Sequence, residues 1–433
     1  MRIRGKHNPR GAGISRWWQA RLARLLRDRS GAIALTTALM AMSLMGVAGL
    51  AVDAGNWYFT RRAMQTAADA AAIAGARDLA NGSSNSAVIA SATNDAQLNG
   101  FSSANGATVS VVPVSSPQSV TVTISQPAQL LFSGLFLATA PTIQVVAQAG
   151  LINDGAPVCM LTLSKTAAGA SLLNGNPSIN APGCSLVNDS TSSSALLVNG
   201  NVTIDTAKTC GPGGYTANGN VTFSPPPSKC SAMADPLANL PAPSEANGGC
   251  NFNNYSLNGT TSVTLSPGIY CGGITINGTN KVTMQPGVYV MKNGGFVVNG
   301  NANISGTGVG FYLTGSNTSF TLNGNGAVQL SAPTSGDMAG LLVYEDHALR
   351  ADSVPNVLNG NNSVSYEGTF YFGKQNVTFN GNGNINSQSP WTMVIADTMT
   401  FNGNDTWNFN ANFQNSQVPP PPGMKLPTVT LTE

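Results

Sequence analysis

The densest set of side chains able to do chemistry is Tyr344-Glu345-Asp346-His347-Ala348-Leu349-Arg350-Ala351-Asp352. Carboxylates beside a histidine and an arginine are what general acid–base cleavage or binding of a sugar polymer requires. The competing reading is a polar loop that gathers charges the rest of the fold excludes. Composition favours it, since only 9% of the 433 residues are charged. Glu345, Asp346, His347, Arg350 and Asp352 therefore stand as weak ligand-site candidates, and no catalytic residue is assigned. No nucleophile elbow, phosphate-binding glycine loop or HExxH motif occurs.

The cysteines are the second set. Cys159, Cys184, Cys210, Cys230, Cys250 and Cys271 are even in number and fall 20–26 residues apart. There is no C-x-x-C pair, and the histidines are His7 and His347. A zinc site thus has poor support. Three disulfides in an oxidising compartment are expected. Sequential pairing (159–184, 210–230, 250–271) is the simplest connectivity, because each bond would join neighbouring turns of the repeat described below. No metal or cofactor is expected.

These residues need elements to hold them. Residues 1–30 carry nine Lys/Arg and one acid, a net +8, whereas the whole chain is only +2. Gly31 to Val52 then runs 22 residues without a charge, enough to cross a bilayer core of roughly 30 Å as a helix. Basic residues crowd one flank and Asp53 begins the other, which makes the N-terminus cytoplasmic and the remainder exported. A cleaved signal peptide has a shorter apolar core, of about 7–15 residues, so a retained anchor is expected. The Ala-rich stretch Asp53–Ala80 continues the helix to Asn81-Gly82, a stop signal. Ala67, Ala68, Ala71, Ala72 and Gly75 offer a small-residue face that another helix could approach closely. Alternating β-branched runs at Val109–Val114, Ser119–Ser125 and Thr142–Ala149 read as strands. The apolar Leu130–Ala138 lies between the last two.

From about residue 155 the chain repeats. Asn-Gly-Asn/Thr begins at Asn174, Asn199, Asn218, Asn258, Asn277, Asn299, Asn323, Asn359, Asn380 and Asn402. Most intervals are 19–25 residues; one is 40, as if a coil had lost its marker, and one is 36 and contains the non-repetitive Ser331–Pro355. Locally this is strand, tight turn, strand, which an antiparallel meander also satisfies. The period favours coils of a parallel β-helix. The scarcity of charge agrees, since stacked coils lie about 4.8 Å apart and a repeated Lys or Glu would face its own kind. Asn, Ser and Thr can instead form ladders.

The expected fold is mainly β: a transmembrane α-helix, a small α/β module and a β-solenoid. Its expected divisions are a basic segment 1–30, a helix 31–80, a module 81–152 and a solenoid 153–417. Loops at about 225–247 and 331–355 interrupt the solenoid, and a Pro-rich tail with a final strand occupies 418–433.

The stretch Arg27 to Ala76 resembles the N-terminal segment of TadE/TadG-type Flp pilus assembly proteins. The matching residues are Arg29 and Gly31, Val52-Asp53-Ala54-Gly55, Trp57-Tyr58 and Met64-Gln65-Thr66-Ala67-Ala68-Asp69-Ala70-Ala71-Ala72. The Asn-Gly region is similar to C-terminal regions of some larger members. The resemblance implies a component of the tight-adherence (Flp pilus) machinery, anchored in the bacterial inner membrane and projecting outward. Asp53, Gly55, Gln65, Ala68 and Asp69 would form a helix-packing motif toward other Tad components. Prepilin-type processing would fall between Gly31 and Ala32, although Thr36 stands where such substrates carry glutamate. Surface glycans or host surfaces are further expected partners; nucleic acid is not. The alternative function is a carbohydrate-active, lyase-, hydrolase- or lectin-like β-helix protein.

Overall fold

A 51-residue helix, α1 (Ser30–Ala80), opens the described chain. Its Ala-, Leu- and Met-rich sequence contains no proline, so nothing breaks the hydrogen-bond ladder. Asn81-Gly82 ends it: Gly82 has φ +73°, its N–H donates to Leu79 O, and the Ser83 N–H reaches Asp78 O. These paired bonds satisfy the last carbonyls of the helix. The second helix, α2 (Asn85–Leu98), closes the same way at Asn99-Gly100. Strands β1 (Thr108–Ser115), β2 (Gln118–Pro127) and β3 (Thr142–Ile152) form a sheet in that order. The C-terminal strand Thr428–Thr432 adds to its edge, antiparallel to β3. The structure, a computed structural model, describes residues 21, 30–115, 118–152, 155–349 and 354–432. The basic stretch before the anchor apart from Arg21, and Arg350 and Asp352, lie outside them.

By internal contacts the chain divides into two compact units. One runs up to Ala71 and includes Thr93–Val111 and Val122–Ala147; the other comprises Ala72–Ala92, Val112–Thr121 and Gln148–Glu433. In the second unit α1, α2 and β2 converge on Gly75, where a Cβ would lie 3.0 Å from Val120 and 3.2 Å from Ala92.

From Val158 to Asn408 the chain winds as a parallel β-solenoid of about 11 turns. Among the described residues its strands pair in parallel, which excludes the meander. The residue before the marker Asn points inward in every coil but the last, so Leu257, Ile276, Val298, Leu322, Leu358, Phe379, Phe401, Leu173 and Val198 stack coil upon coil. The marker Asn side chains form an outer ladder over 258–323 and again over 359–380–402–174–199–218, the Nδ2 of one donating to the Oδ1 of its neighbour at 2.9–3.2 Å. The glycines are required by proximity: a Cβ on Gly200 would sit 1.8 Å from Gly175 O of the adjacent coil.

The order of the rungs is not the order of the sequence. Along the axis they read 258, 277, 299, 323, 359, 380, 402 and then 174, 199, 218. The chain enters at an internal coil, winds to one end at Cys230, and crosses to the other end. It then winds back until Thr392–Asn408 docks beneath Ser171–Gly175 and Ser178–Asn188. The 40-residue interval therefore hides no unmarked coil; it contains the crossing segment 231–249. Nine steps of about 4.8 Å are about 43 Å, within the roughly 60 Å that these residues reach when extended. In the 36-residue interval, Leu341–Glu345 is a regular coil strand paired with the strands on either side.

Candidate functional site

Two places gather the residues that the sequence singles out. The first is one stripe of α1 in the first unit. Gly49, Asp53, Trp57, Gln65 and Asp69 are spaced by fours and eights, a row that winds slowly around the helix because each step of four advances it by about 40°. Asp53 is fully buried and accepts the N–H groups of Phe132 (3.0 Å) and Ser133 (2.6 Å). Trp57 Nε1 donates to Gln129 O at 2.7 Å. Gln65 Nε2 donates to Val146 O at 3.2 Å and to Asp69 Oδ1 at 2.8 Å. At Gly49 a Cβ would come within 2.8 Å of Phe132, so the missing side chain makes room for the Phe132 ring. Gly55 faces nothing within 4 Å of its would-be Cβ.

Ala67, Ala68, Ala71, Ala72 and Ala76 are 0–1% exposed within the chain itself. The small-residue face is thus filled from inside, and the helix that approaches Gly75 is the chain's own α2. Gly31 and Ala32 lie in the first turn of α1; their surroundings fall outside the described side chains.

The second place is the cluster around Glu345, in the solenoid. It is not a solvated loop. Glu345 ends a buried strand at 1% exposure, and its Oε2 accepts the Lys374 N–H at 3.1 Å. Asp346 accepts from the Thr314 hydroxyl at 2.7 Å and from the Ala348 N–H at 2.9 Å. Burial acts to raise its pKa, but these donors and the neighbouring Tyr312 hold it below the usual carboxylate range. The Tyr371 hydroxyl donates to Asp235 Oδ2 at 2.7 Å and lies 3.1 Å from His347 Nδ1. With the phenolic proton committed to Asp235, Nδ1–H donates to the Tyr371 oxygen.

Asp235 belongs to the crossing segment, which makes further contacts along the solenoid. Met233 N–H donates to Asp189 (2.8 Å) and the Tyr344 hydroxyl to Leu240 O. The Ser244 N–H and hydroxyl both donate to Asp337 at 2.8 Å. The contacts 233–189, 235–371 and 240–344 fall on coils successively farther along the axis, with 244–337 in the coil of Tyr344, so segment 231–249 is a strut clamped along the solenoid. Burial pushes Tyr344 up to about 12 and Tyr371 higher still, aided by Asp235. Both phenols therefore remain neutral donors near pH 7. Tyr344 and Tyr371 hold the strut, which the sequence could not indicate because Asp235 and Tyr371 are 136 residues apart.

The cysteines pair as 159–184, 210–230 and 250–271, each with Cα atoms 5.5–5.6 Å apart. They mark the breaks in winding order: the chain enters beside Cys159, leaves at Cys230 and re-enters at Cys250. A cleft of about 320 Å³ near the last coil is lined by Leu186, Leu196, Tyr215 and Lys229. Its lysine is already donating to Pro212 O and Gly213 O. Among the described residues, no group of three His, Cys, Asp or Glu is placed to hold a metal ion.

No curated protein and no solved structure matches the chain. Residues 31–78, the part of α1 that carries the Asp53 stripe, match the family described as "Putative Flp pilus-assembly TadE/G-like", so the chain carries a TadE/G-like domain on its N-terminal helix.

Proposed function

We propose that this protein is a membrane-anchored structural component of the Flp (tight-adherence) pilus assembly machinery, holding a rigid β-solenoid outside the cytoplasm. The observation that carries this reading is the coincidence of the TadE/G-like match with an apolar helix, Ile33–Ala80, long enough to cross a membrane. Its large apolar side chains from Ile33 to Val52 are exposed, as suits a lipid environment. The +8 N-terminal flank favours a cytoplasmic N-terminus. Three disulfides suit an oxidising compartment, and about 11 turns at about 4.8 Å give a spacer of roughly 50 Å.

Adhesion to glycans or host surfaces, and contacts with other pilus components, belong to this proposal. So does the absence of catalysis, supported by Glu345 and Asp346 each accepting donors of the solenoid itself, the Lys374 N–H, the Thr314 hydroxyl and the Ala348 N–H. Protease shaving of spheroplasts and intact cells, with and without the other pilus genes, tests it. Digestion of the solenoid from the outside is expected, with the anchor left in the inner membrane. Protection of the solenoid in spheroplasts would reverse the orientation. Polysaccharide cleavage that Glu345→Gln or Asp346→Asn abolishes would favour the carbohydrate-active alternative.

A further inference from the structure

We infer that the loop Gln129–Leu137 is a second membrane contact, inserted into the outer headgroup–acyl boundary beside the anchor. The inference rests on reading α1 as membrane-spanning. The loop presents Leu131, Phe132, Leu135, Phe136 and Leu137 to the surroundings; Leu135 is 82% and Phe136 72% exposed. An isolated exposed leucine needs no explanation, but five large apolar side chains within seven residues form a patch.

The loop's level on the helix is set by three contacts: Trp57 Nε1 with Gln129 O, Asp53 with the Phe132 and Ser133 N–H groups, and Gly49 against Phe132. Gly49 belongs to the uncharged run that ends at Val52. At 1.5 Å per residue, Gly49 lies about 6 Å deeper than Asp53. Phe132 therefore reaches about 6 Å below the level of the first charge, the depth at which apolar side chains of interfacial segments reside. Trp57 lies about 6 Å above it, in the aromatic belt.

Backbone N–H groups cannot enter this zone unpaired. Asp53 supplies what they need, a carboxylate that accepts two of them where the loop turns. The apolar surface of the loop is also continuous with that of the helix, which points to lipid rather than a separate partner.

The test uses the full-length protein in phosphatidylethanolamine–phosphatidylglycerol vesicles. Because the native cysteines are all in disulfides, single Cys substitutions can be labelled with an environment-sensitive fluorophore and challenged with brominated lipids. Labels at Leu135→Cys and Phe136→Cys should lose most of their emission to lipids brominated near the headgroup. Leu44→Cys should respond to lipids brominated near mid-chain, and Ser262→Cys, in the solenoid, should not respond. Quenching at Leu44 without quenching at Leu135 and Phe136 overturns the inference and leaves the anchor standing. No quenching at Leu44 overturns the anchor reading itself. Loop labels shielded from iodide yet unaffected by brominated lipid would indicate a protein partner instead of lipid, and also overturn it. Adding Asp53→Ala should weaken quenching at Phe136 while sparing Leu44; an unchanged loop signal overturns the role given to Asp53.

Discussion

The anchor helix and the solenoid solve the same problem, a nearly uncharged chain with every backbone group to satisfy, by opposite means. In α1 each hydrogen bond closes four residues away, so the element forms from local sequence and places its single buried carboxylate, Asp53, where two outside N–H groups need it. In the solenoid, no coil satisfies itself. The ladder bond between Asn174 and Asn402 joins residues 228 apart, and the neutral amide serves because it donates and accepts at once. The contrast shows why charge is tolerated singly in one region and avoided in the other. A helix face meets a given neighbour once, whereas a coil position meets its own repeat above and below.

The sharpest way to break the comparison is to attack the seam where the late coils dock under the first. Phe401 stacks on Phe379 with centroids 4.6 Å apart and aligns with Leu173 across the seam. Phe401→Ala should cost about 4 kcal/mol and open both stretches together, measured by chemical denaturation; a loss confined to residues 252–408 would show that the seam is not cooperative. Next, Cys250→Ser with Cys271→Ser frees the strut's re-entry point. Closing a loop of this length stabilises by about 3 kcal/mol, so a comparable loss of stability and faster proteolysis within 231–249 are expected. In the helix region, Asp53→Ala leaves the Phe132 and Ser133 N–H groups unpaired, at about 1–3 kcal/mol. Hydrogen exchange there should accelerate without changing solenoid unfolding.

The smallest effect concerns pH. Burial raises the Asp405 pKa against the opposing hydrogen bond from Trp407. A raised folded-state pKa means the native state holds the proton more tightly, so stability falls as pH climbs from the ordinary carboxylate value through the raised one. Asp405→Asn should remove that part of the decline. Thermal unfolding from pH 4 to pH 8 should show the variant gaining on the parent as pH rises; parallel curves would mean that Asp405 titrates normally.

Much of this was legible beforehand. The helix, its end at Asn81-Gly82, the three module strands, the parallel solenoid and the cysteine pairing all follow from features close in sequence. The Asn-Gly dipeptide itself does not say what it does: at 81–82 and 99–100 it stops helices, whereas at Asn174 and its equivalents it turns a coil. The Glu345 cluster misled for a similar reason. Charge density marks it, but its partners Asp235 and Tyr371 lie in other segments, and Asp235 sits in a Pro-rich stretch that reads as a plain loop.

By itself, then, the sequence determined each local unit: the 22-residue uncharged run, the coil period, the inward residue before the marker Asn and the neutral rungs. These depend on backbone periodicity and on which side chains can neighbour their own copies. Only the tertiary structure decided the order of the coils and the destination of the strut. Every coil presents the same rung to whichever neighbour arrives, so residues 402 and 174 pair as well as 380 and 402 do. Repetition specifies the contact but not the connection, and the connection rests on the particular residues that clamp segment 231–249.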